Sequence, residues 1–429
     1  MKQSYDKWLL FIVLLLILVG LTAVYSSTSV ISPDVVEKFR RKGVALSQFG
    51  FVKKQLFTVL LGAMALLIAY KTPLERLKKL SIPLLVISLA CLGLVFTKFG
   101  ITAGGARRWI RVWPSTFQPS ELVKLAMVIF LAKYVTMPDF KKDKFSSFVV
   151  PIVIMGMFQV VFLKQPDFGA VMSLALLTMC MLFLSGIRLR YLLSLGALGI
   201  PVVIKLISEP YRWRRVAAFL DPWKDAQGSG FQLVQSFIAL GSGGLTGVGL
   251  GQGKQKLSFL PEVHTDFIFS LIGEELGFIG AVCVALLFFA LFIKGILIAR
   301  KAAEPFHYFL AFGLSMMIAI QAIMNFSVVT GMVPTKGLPL PFISYGGSSL
   351  MINMTAAGLL LNVSGARGRS MQGGYGPAAA HEAPAGKAPL TVARASVPAE
   401  SCPNWNRGYG YSYYKKKLSK NQKPFGHRG

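Results

Sequence analysis

The sequence predicts an all-α, polytopic membrane protein with about ten transmembrane helices and a large extracytoplasmic loop between the seventh and the eighth. Three observations predict it. The 429 residues are 54% hydrophobic and only 15% charged, whereas a soluble domain has roughly 45–50% apolar and about 25% charged residues. Ten apolar runs lie near 8–28, 55–70, 80–97, 121–136, 148–164, 168–186, 190–207, 267–298, 307–330 and 348–364, and a helix crosses the hydrocarbon core with about 20 residues. No β-barrel alternation appears, and a helix is the element that pairs its own backbone inside lipid.

Taken in order, the first run follows Lys2 and Lys7 and is too long for the core of a cleavable signal. The runs at 55–70 and 121–136 are short for a span. Pro166 interrupts the chain between the fifth and sixth runs. An even number of spans puts both ends of the membrane part on one side, shared with the short loops 71–79, 137–147, 187–189 and 299–306. Those loops are densely basic, which favours that side as cytoplasmic, although slightly more basic residues lie on the far side. The far side carries the irregular segments 98–120, 208–266 and 331–347. Within them FQLVQSFIAL (231–240) reads as an amphipathic helix in the interface, and GSGGLTGVGLGQG (241–253) as a glycine turn region without the GK[ST] ending of a phosphate loop. From residue 367 to 429 the sequence turns Ala/Gly/Pro-rich, then basic and aromatic, a composition that predicts disorder.

The net charge is +28. Residues 1–365 hold 35 Lys and Arg against 16 Asp and Glu, and the remainder holds 11 against 2. On a membrane protein such a surplus points to anionic headgroups or an anionic substrate, not to nucleic acid. The four cysteines, three of them inside apolar runs, have neither disulfide nor metal spacing.

Ionisable residues inside spans are costly, so each is a functional candidate. Glu121 and Lys124 stand three apart and share a helix face, either as a structural ion pair or as a polar site. Asp167 follows Pro166 and is placed to cap the next helix. Asp266 lies where a polar loop, LPEVHTD, enters an apolar span. Partial desolvation at such a mouth favours the neutral carboxyl and makes a proton acceptor. Glu274 and Glu275 follow two turns deeper, with a cation on a neighbouring helix as the expected partner, and His264 is a further candidate. The run GMVPTKGLPLPFISYGGSS (331–349) cannot be a regular helix. It is either a rigid re-entrant turn or the wall of a polar cavity lined by Ser344, Ser348, Ser349 and Lys336.

Five ordered strings then resemble one family. They are GARRWI (105–110) with FQPSELVK (117–124), QPDFGA (165–170), YRWRRVAAFLDPW (211–223) with GSGFQLVQS (228–236), GVGLGQGKQKLSFLPEVHTDFIFSLIGEELGF (247–278) and PTKGLPLPFISYGGSS (334–349). Residues 8–366 are similar to the SEDS family, the group containing FtsW and RodA, and PTKG resembles its FtsW branch.

The resemblance implies a ten-span inner-membrane enzyme that polymerises lipid II on the outer face, with a divalent cation (Mg or Mn). It implies a class B penicillin-binding protein transpeptidase and other divisome proteins as partners, both termini in the cytoplasm and a place at the septum. It puts the catalytic aspartate in the HTDF string, at Asp266, and further functional positions at Arg108, Glu121, Lys124 and Asp167. Lys336 and Ser344 fall in its last loop. Asp266 would take a proton from the attacking sugar hydroxyl, with Arg108, Arg212 and Arg215 near the departing diphosphate. A lipid II flippase, a noncatalytic divisome scaffold, and an elongation role of the RodA type are the competing readings.

Overall fold

The computed structural model describes residues 5–28, 48–103, 106–112, 115–208, 210–255, 264–335 and 337–372. Of the tail expected over 367–429, residues 367–372 continue the last helix instead, and the part from 373 onward lies outside the described residues, as does Lys336.

Each of the ten apolar runs is a helix. They are α1 (Lys7–Thr28), α2 (Gln48–Lys71), α4 (Ser81–Leu94), α5 (Pro119–Tyr134), α6 (Phe145–Lys164), α7 (Phe168–Leu184), α8 (Leu189–Ile207), α11 (Ile268–Arg300), α12 (Pro305–Val329) and α13 (Gly347–Gln372). A short helix, α3 (Leu74–Lys79), joins α2 to α4, and α9 (Pro210–Leu220) and α10 (Phe231–Gly243) lie between α8 and α11. Among the described residues, six helices are long and apolar enough to cross a bilayer by length and composition: α1, α2, α6, α11, α12 and α13. Helices α4, α7 and the first part of α8 are apolar but shorter. Leu60, Leu67, Val86, Val153, Leu198 and Phe289 are exposed on the outside of the bundle. So many outward apolar side chains suit lipid, not water.

Helix α5 forms the centre. It is apolar nearly all round, which is the pattern of a helix buried on every side, and its residues from Pro119 to Ala132 are buried apart from Leu122. It packs on α4 and α12, α12 packs on α11 and α7, and α13 lies along α2. At one end of the bundle the Asp6 amide donates to Ser364 Oγ at 3.1 Å, and the Asp6 carboxylate pairs with Lys294 at 3.6 Å. Asn362 donates to the carbonyls of Ala69 and Thr72, and Lys78 sits over the Phe306 ring. The start of α1, the end of α13 and the loops 71–79 and 301–304 therefore meet at one end, as an even number of crossings requires.

The opposite end departs from the sequence expectation. The segment 98–120, expected to be irregular, forms an antiparallel sheet of β1 (Gly100–Ala103), β2 (Ala106–Val112) and β3 (Ser115–Phe117) in that order. Ile101 pairs with Trp109, and Ile110 with Phe117. Gly104-Gly105 between two β-prone runs is a hairpin signal. Helix α10, read from the sequence as amphipathic, also docks on protein. Its Ser236 hydroxyl bonds Ser270 Oγ at 2.7 Å and the Val329 carbonyl at 2.8 Å. A Cβ on Gly243 would lie 2.0 Å from the Gly273 carbonyl, so glycine permits the close crossing of α10 on α11.

Helix α11 is broken at Gly277, whose φ of 68° and ψ of −168° are not helical. A break strands backbone groups that lipid cannot satisfy, and the glycine region satisfies them. The amides of Val248 and Gly249 donate to the carbonyls of Glu274 and Glu275, and the amides of Phe278 and Ile279 donate to Gly244 and Leu245. Gly247 sits at the crossing with a φ of 84°, where an added Cβ would lie 2.2 Å from the Glu275 carbonyl. The glycine string is thus a splice into a broken helix. The amides of Gly247, Val248, Gly249 and Gln252 are engaged by main chain, which leaves these four unsuited to a phosphate.

Gly247→Val is expected to destabilise the protein by more than the 1–3 kcal/mol typical of a strained left-handed residue, because a clash adds to the strain. Gly93→Ala, where a Cβ meets nothing within 4 Å, is expected to be neutral or stabilising by about 0.5–1 kcal/mol. Thermal unfolding of both variants in lipid nanodiscs checks the contrast.

Candidate active site

The carboxylate of Asp266 lies in a turn over 264–267 at the head of α11 and is half-buried. The turn is held by the loop 337–346. Ser344 Oγ donates to the Thr265 carbonyl at 2.5 Å, and the Tyr345 amide donates to the His264 carbonyl at 2.9 Å. The His264 and Tyr345 rings meet edge to face with centroids 5.7 Å apart. Asn325 of α12 donates from Nδ2 to the Asp266 carbonyl and to the Leu338 carbonyl, each at 2.8 Å. A Cβ placed on Gly337 would lie 3.0 Å from Asp266 Oδ2, so the absence of a side chain there leaves the carboxylate room.

The loop is buried against protein. Leu338, Leu340, Phe342 and Ile343 are all buried, and the Leu340 amide donates to Ser344 Oγ at 2.8 Å. It presses on α1, where a Cβ on Gly20 would lie 2.7 Å from Ile343 Cα, and on α7, where a Cβ on Gly169 would lie 2.9 Å from Leu338 Cδ2. The rigid turn, one of the two alternatives open in the sequence, describes it. The three serines bond to protein groups: Ser344 as above, Ser348 to the Gln118 amide at 3.1 Å, and Ser349 to Gln321 at 3.1 Å.

A second polar group lies beneath the loop. Lys124 Nζ donates to Glu121 Oε1 at 2.8 Å, with both side chains only 3% exposed, and to Gln321 Oε1 at 3.1 Å. Gln321 Nε2 in turn donates to the Pro339 carbonyl at 3.0 Å. The pair expected from the three-residue spacing is therefore present, and it reaches the loop through Gln321.

Asp167 caps α7, accepting from the Ala170 amide at 3.1 Å, and takes Gln118 Nε2 at 3.3 Å. Arg108 on β2 donates to the carbonyls of Gln165 and Pro166, just before Asp167. Arg215 on α9 is exposed and donates to the Thr335 carbonyl at 3.4 Å, two residues from Gly337. Arg212 falls in α9, with its side chain outside the described residues. Glu274 accepts the amides of Lys254 and Gln255 at 2.6 and 3.2 Å, and Glu275 accepts Ser26 Oγ of α1 at 2.5 Å.

Sequence reading passed over Asn325, Gln321 and Gln118. The signal was present: Gln321 and Asn325 are amide side chains four apart, on one face of an otherwise apolar helix. Among the described residues, no group of three or more His, Cys, Asp or Glu is placed to hold a metal ion.

The FtsW/RodA/SpoVE family, described as cell cycle proteins, matches residues 7–368. A probable peptidoglycan glycosyltransferase FtsW of Geobacter sulfurreducens (strain DL-1 / KN400) is 42% identical over 371 residues, covering 84% of this chain and 95% of that protein. Stage V sporulation protein E of Bacillus subtilis (strain 168) is 40% identical over 367 residues, covering 85% and 98%. Among solved structures, a chain from a peptidoglycan synthase complex that coordinates polymerization and crosslinking aligns with a TM-score of 0.69 at 29% identity, covering 85% of this chain and 98% of that one. The crystal structure of the rod shape determining protein RodA of Thermus thermophilus aligns with a TM-score of 0.61 at 26% identity, covering 84% and 97%.

Removing one member of the buried pair is expected to cost about 3–5 kcal/mol, because the other charge is left uncompensated. Lys124→Met should therefore lower the thermal midpoint sharply, and Glu121→Gln/Lys124→Met should recover most of the loss. If the double variant is stable but inactive in a polymerisation assay, the pair acts on substrate as well as on the fold.

Proposed function

This chain belongs to the FtsW/RodA/SpoVE family of cell cycle proteins, and we propose that it is a peptidoglycan glycosyltransferase polymerising lipid II on the outer face of the cytoplasmic membrane during cell division. The observation that carries the proposal is the half-buried Asp266 carboxylate at the mouth of α11, in a turn fixed by Asn325, Ser344 and Tyr345.

The reaction joins two lipid-linked sugars. A sugar hydroxyl of the acceptor attacks the anomeric carbon of the donor. The new glycosidic C–O bond forms as the bond from that carbon to the diphosphate oxygen breaks, and undecaprenyl diphosphate leaves with the electron pair. Asp266 accepts the hydroxyl proton as general base. Displacement in one step inverts the anomeric centre. Negative charge grows on the diphosphate, so preorganised cations stabilise the transition state. Arg215 is the exposed guanidinium bonded to the Thr335 carbonyl of the same loop, and we assign it that role. Arg108 acts through the chain, holding the turn before Asp167. A divalent cation, Mg or Mn, would be bound mainly by the substrate's own diphosphate oxygens and would supply further charge neutralisation of the leaving group. Both substrates are anchored by polyprenyl tails, which explains why the transferase is itself embedded.

The active end of the bundle faces the outside in this proposal, with both termini cytoplasmic and the protein at the septum. A class B penicillin-binding protein transpeptidase crosslinks the strands it makes, within a larger divisome assembly.

The test is lipid II incubated with the full chain, the cognate transpeptidase and Mg or Mn. Glycan polymer is expected, and Asp266→Asn should lower its rate by at least about 100-fold, the lower range of a general base contribution, without shifting the thermal midpoint. Translocation of lipid II without polymer would favour the flippase instead. Polymer made at the unchanged rate by Asp266→Asn would remove the base from this position.

A further inference from the structure

We propose that Asn325 is a positioning residue for the reacting carboxylate: one buried amide fixes both the main chain of Asp266 and the loop that faces it. The inference rests on the reading of Asp266 as the base.

Asn325 lies on α12 and is only 1% exposed. Its Nδ2 carries two hydrogens, and two carbonyls, those of Asp266 and Leu338, stand 2.8 Å away. Both donors are thus engaged by the two segments that frame the carboxylate. Leu338 follows Gly337, whose Cα hydrogen points at Asp266 Oδ2, where a Cβ would stand 3.0 Å away. Asp266 therefore cannot slide along the chain, and the 337–338 backbone cannot lift from it, without breaking one of the amide's bonds.

Asn325 Oδ1 is buried with no hydrogen-bond partner among the described residues, so the described bonds of this side chain are those of its two donors. Gln321, one turn away on the same face, makes the corresponding bridge from the Pro339 carbonyl and Ser349 to Lys124. The face of α12 toward the loop is thus a ladder of amides, and Asn325 is the rung at the carboxylate.

The fold contains its own control. Asn362 on α13 is equally buried and also donates from Nδ2 to two carbonyls, those of Ala69 and Thr72, at 3.1 and 2.5 Å. It does so at the opposite end of the bundle from Asp266. Replacing either asparagine removes the same chemistry, and only one replacement touches the frame of the carboxylate.

The experiment compares wild type, Asn325→Ala, Asn325→Leu and Asn362→Ala as full chains with the cognate transpeptidase, lipid II and Mg or Mn. Thermal midpoints, kcat and KM are read for each. The two alanine variants are expected to lose similar stability. Asn325→Ala should lose kcat by about 100-fold, the scale of a 1 Å misplacement of a reacting group, with KM little changed, while Asn362→Ala keeps the wild-type kcat. Asn325→Leu, which is close in size and has neither donor nor charge, should lose kcat in the same way, and it carries the comparison if Asn325→Ala does not assemble. Equal kcat in the Asn325 and Asn362 variants, or a loss confined to KM, would overturn the proposal. A wild-type chain that makes no polymer would instead overturn the glycosyltransferase reading beneath it.

Discussion

A stretch of non-helical chain inside a helix bundle must find protein partners for its own amides and carbonyls, and the loop 337–346 meets that requirement largely through side chains of the helices around it. Asn325 and Gln321 reach it from α12, Ser348 in the first turn of α13 ties its end to the residue before α5, and its Ser344 and Tyr345 tie it to the turn before α11. Gly20 and Gly169 let α1 and α7 come close enough to cover it. Leu338, Leu340, Phe342 and Ile343 are buried, and a hydrogen bond away from water is stronger, which favours a single arrangement of the loop. The position of Asp266 follows from it.

The second constraint acts from the other end of the same short helix. The first part of α11 runs only from Ile268 to the break at Gly277. There the glycine segment 244–249 takes up the stranded carbonyls and amides, the Glu274 carboxylate gathers the amides of 254 and 255, and Glu275 binds α1 through Ser26. Asp266 thus heads a helical piece clamped at both ends. The clamp at its far end belongs to the long segment that also carries α9 and Arg215.

The helices were legible because their signal is coarse: each apolar run is long, and lipid requires a helix. Asp266 was legible because a carboxylate at the junction of a polar loop and an apolar run has few bland explanations, and Asp167 because an Asp after Pro166 can cap. Other features were hidden for physical reasons. The sheet at 100–117 consists of strands of three to seven residues, below the length at which period-two patterning stands out. The break at Gly277 is one glycine in an apolar run, and glycine is common in membrane helices. The glycine string 241–253 reads as flexible by composition, while its rigidity comes from carbonyls some thirty residues away in the chain. Asn325 and Gln321 were passed over because an uncharged amide looks unremarkable beside Glu and Lys, although in an apolar helix its unmet hydrogen bonds are the same kind of demand.

In the proposed function, a carboxylate held by a buried loop at the head of a helix takes the proton from an attacking sugar hydroxyl. The most direct measurement is a structure of the protein with a donor and an unreactive acceptor analogue bound. The acceptor hydroxyl should lie within about 2.6–3.2 Å of an Asp266 carboxylate oxygen, or one water away, on the side opposite the departing diphosphate. A bound acceptor whose hydroxyl is far from Asp266 and served by another group would contradict the account.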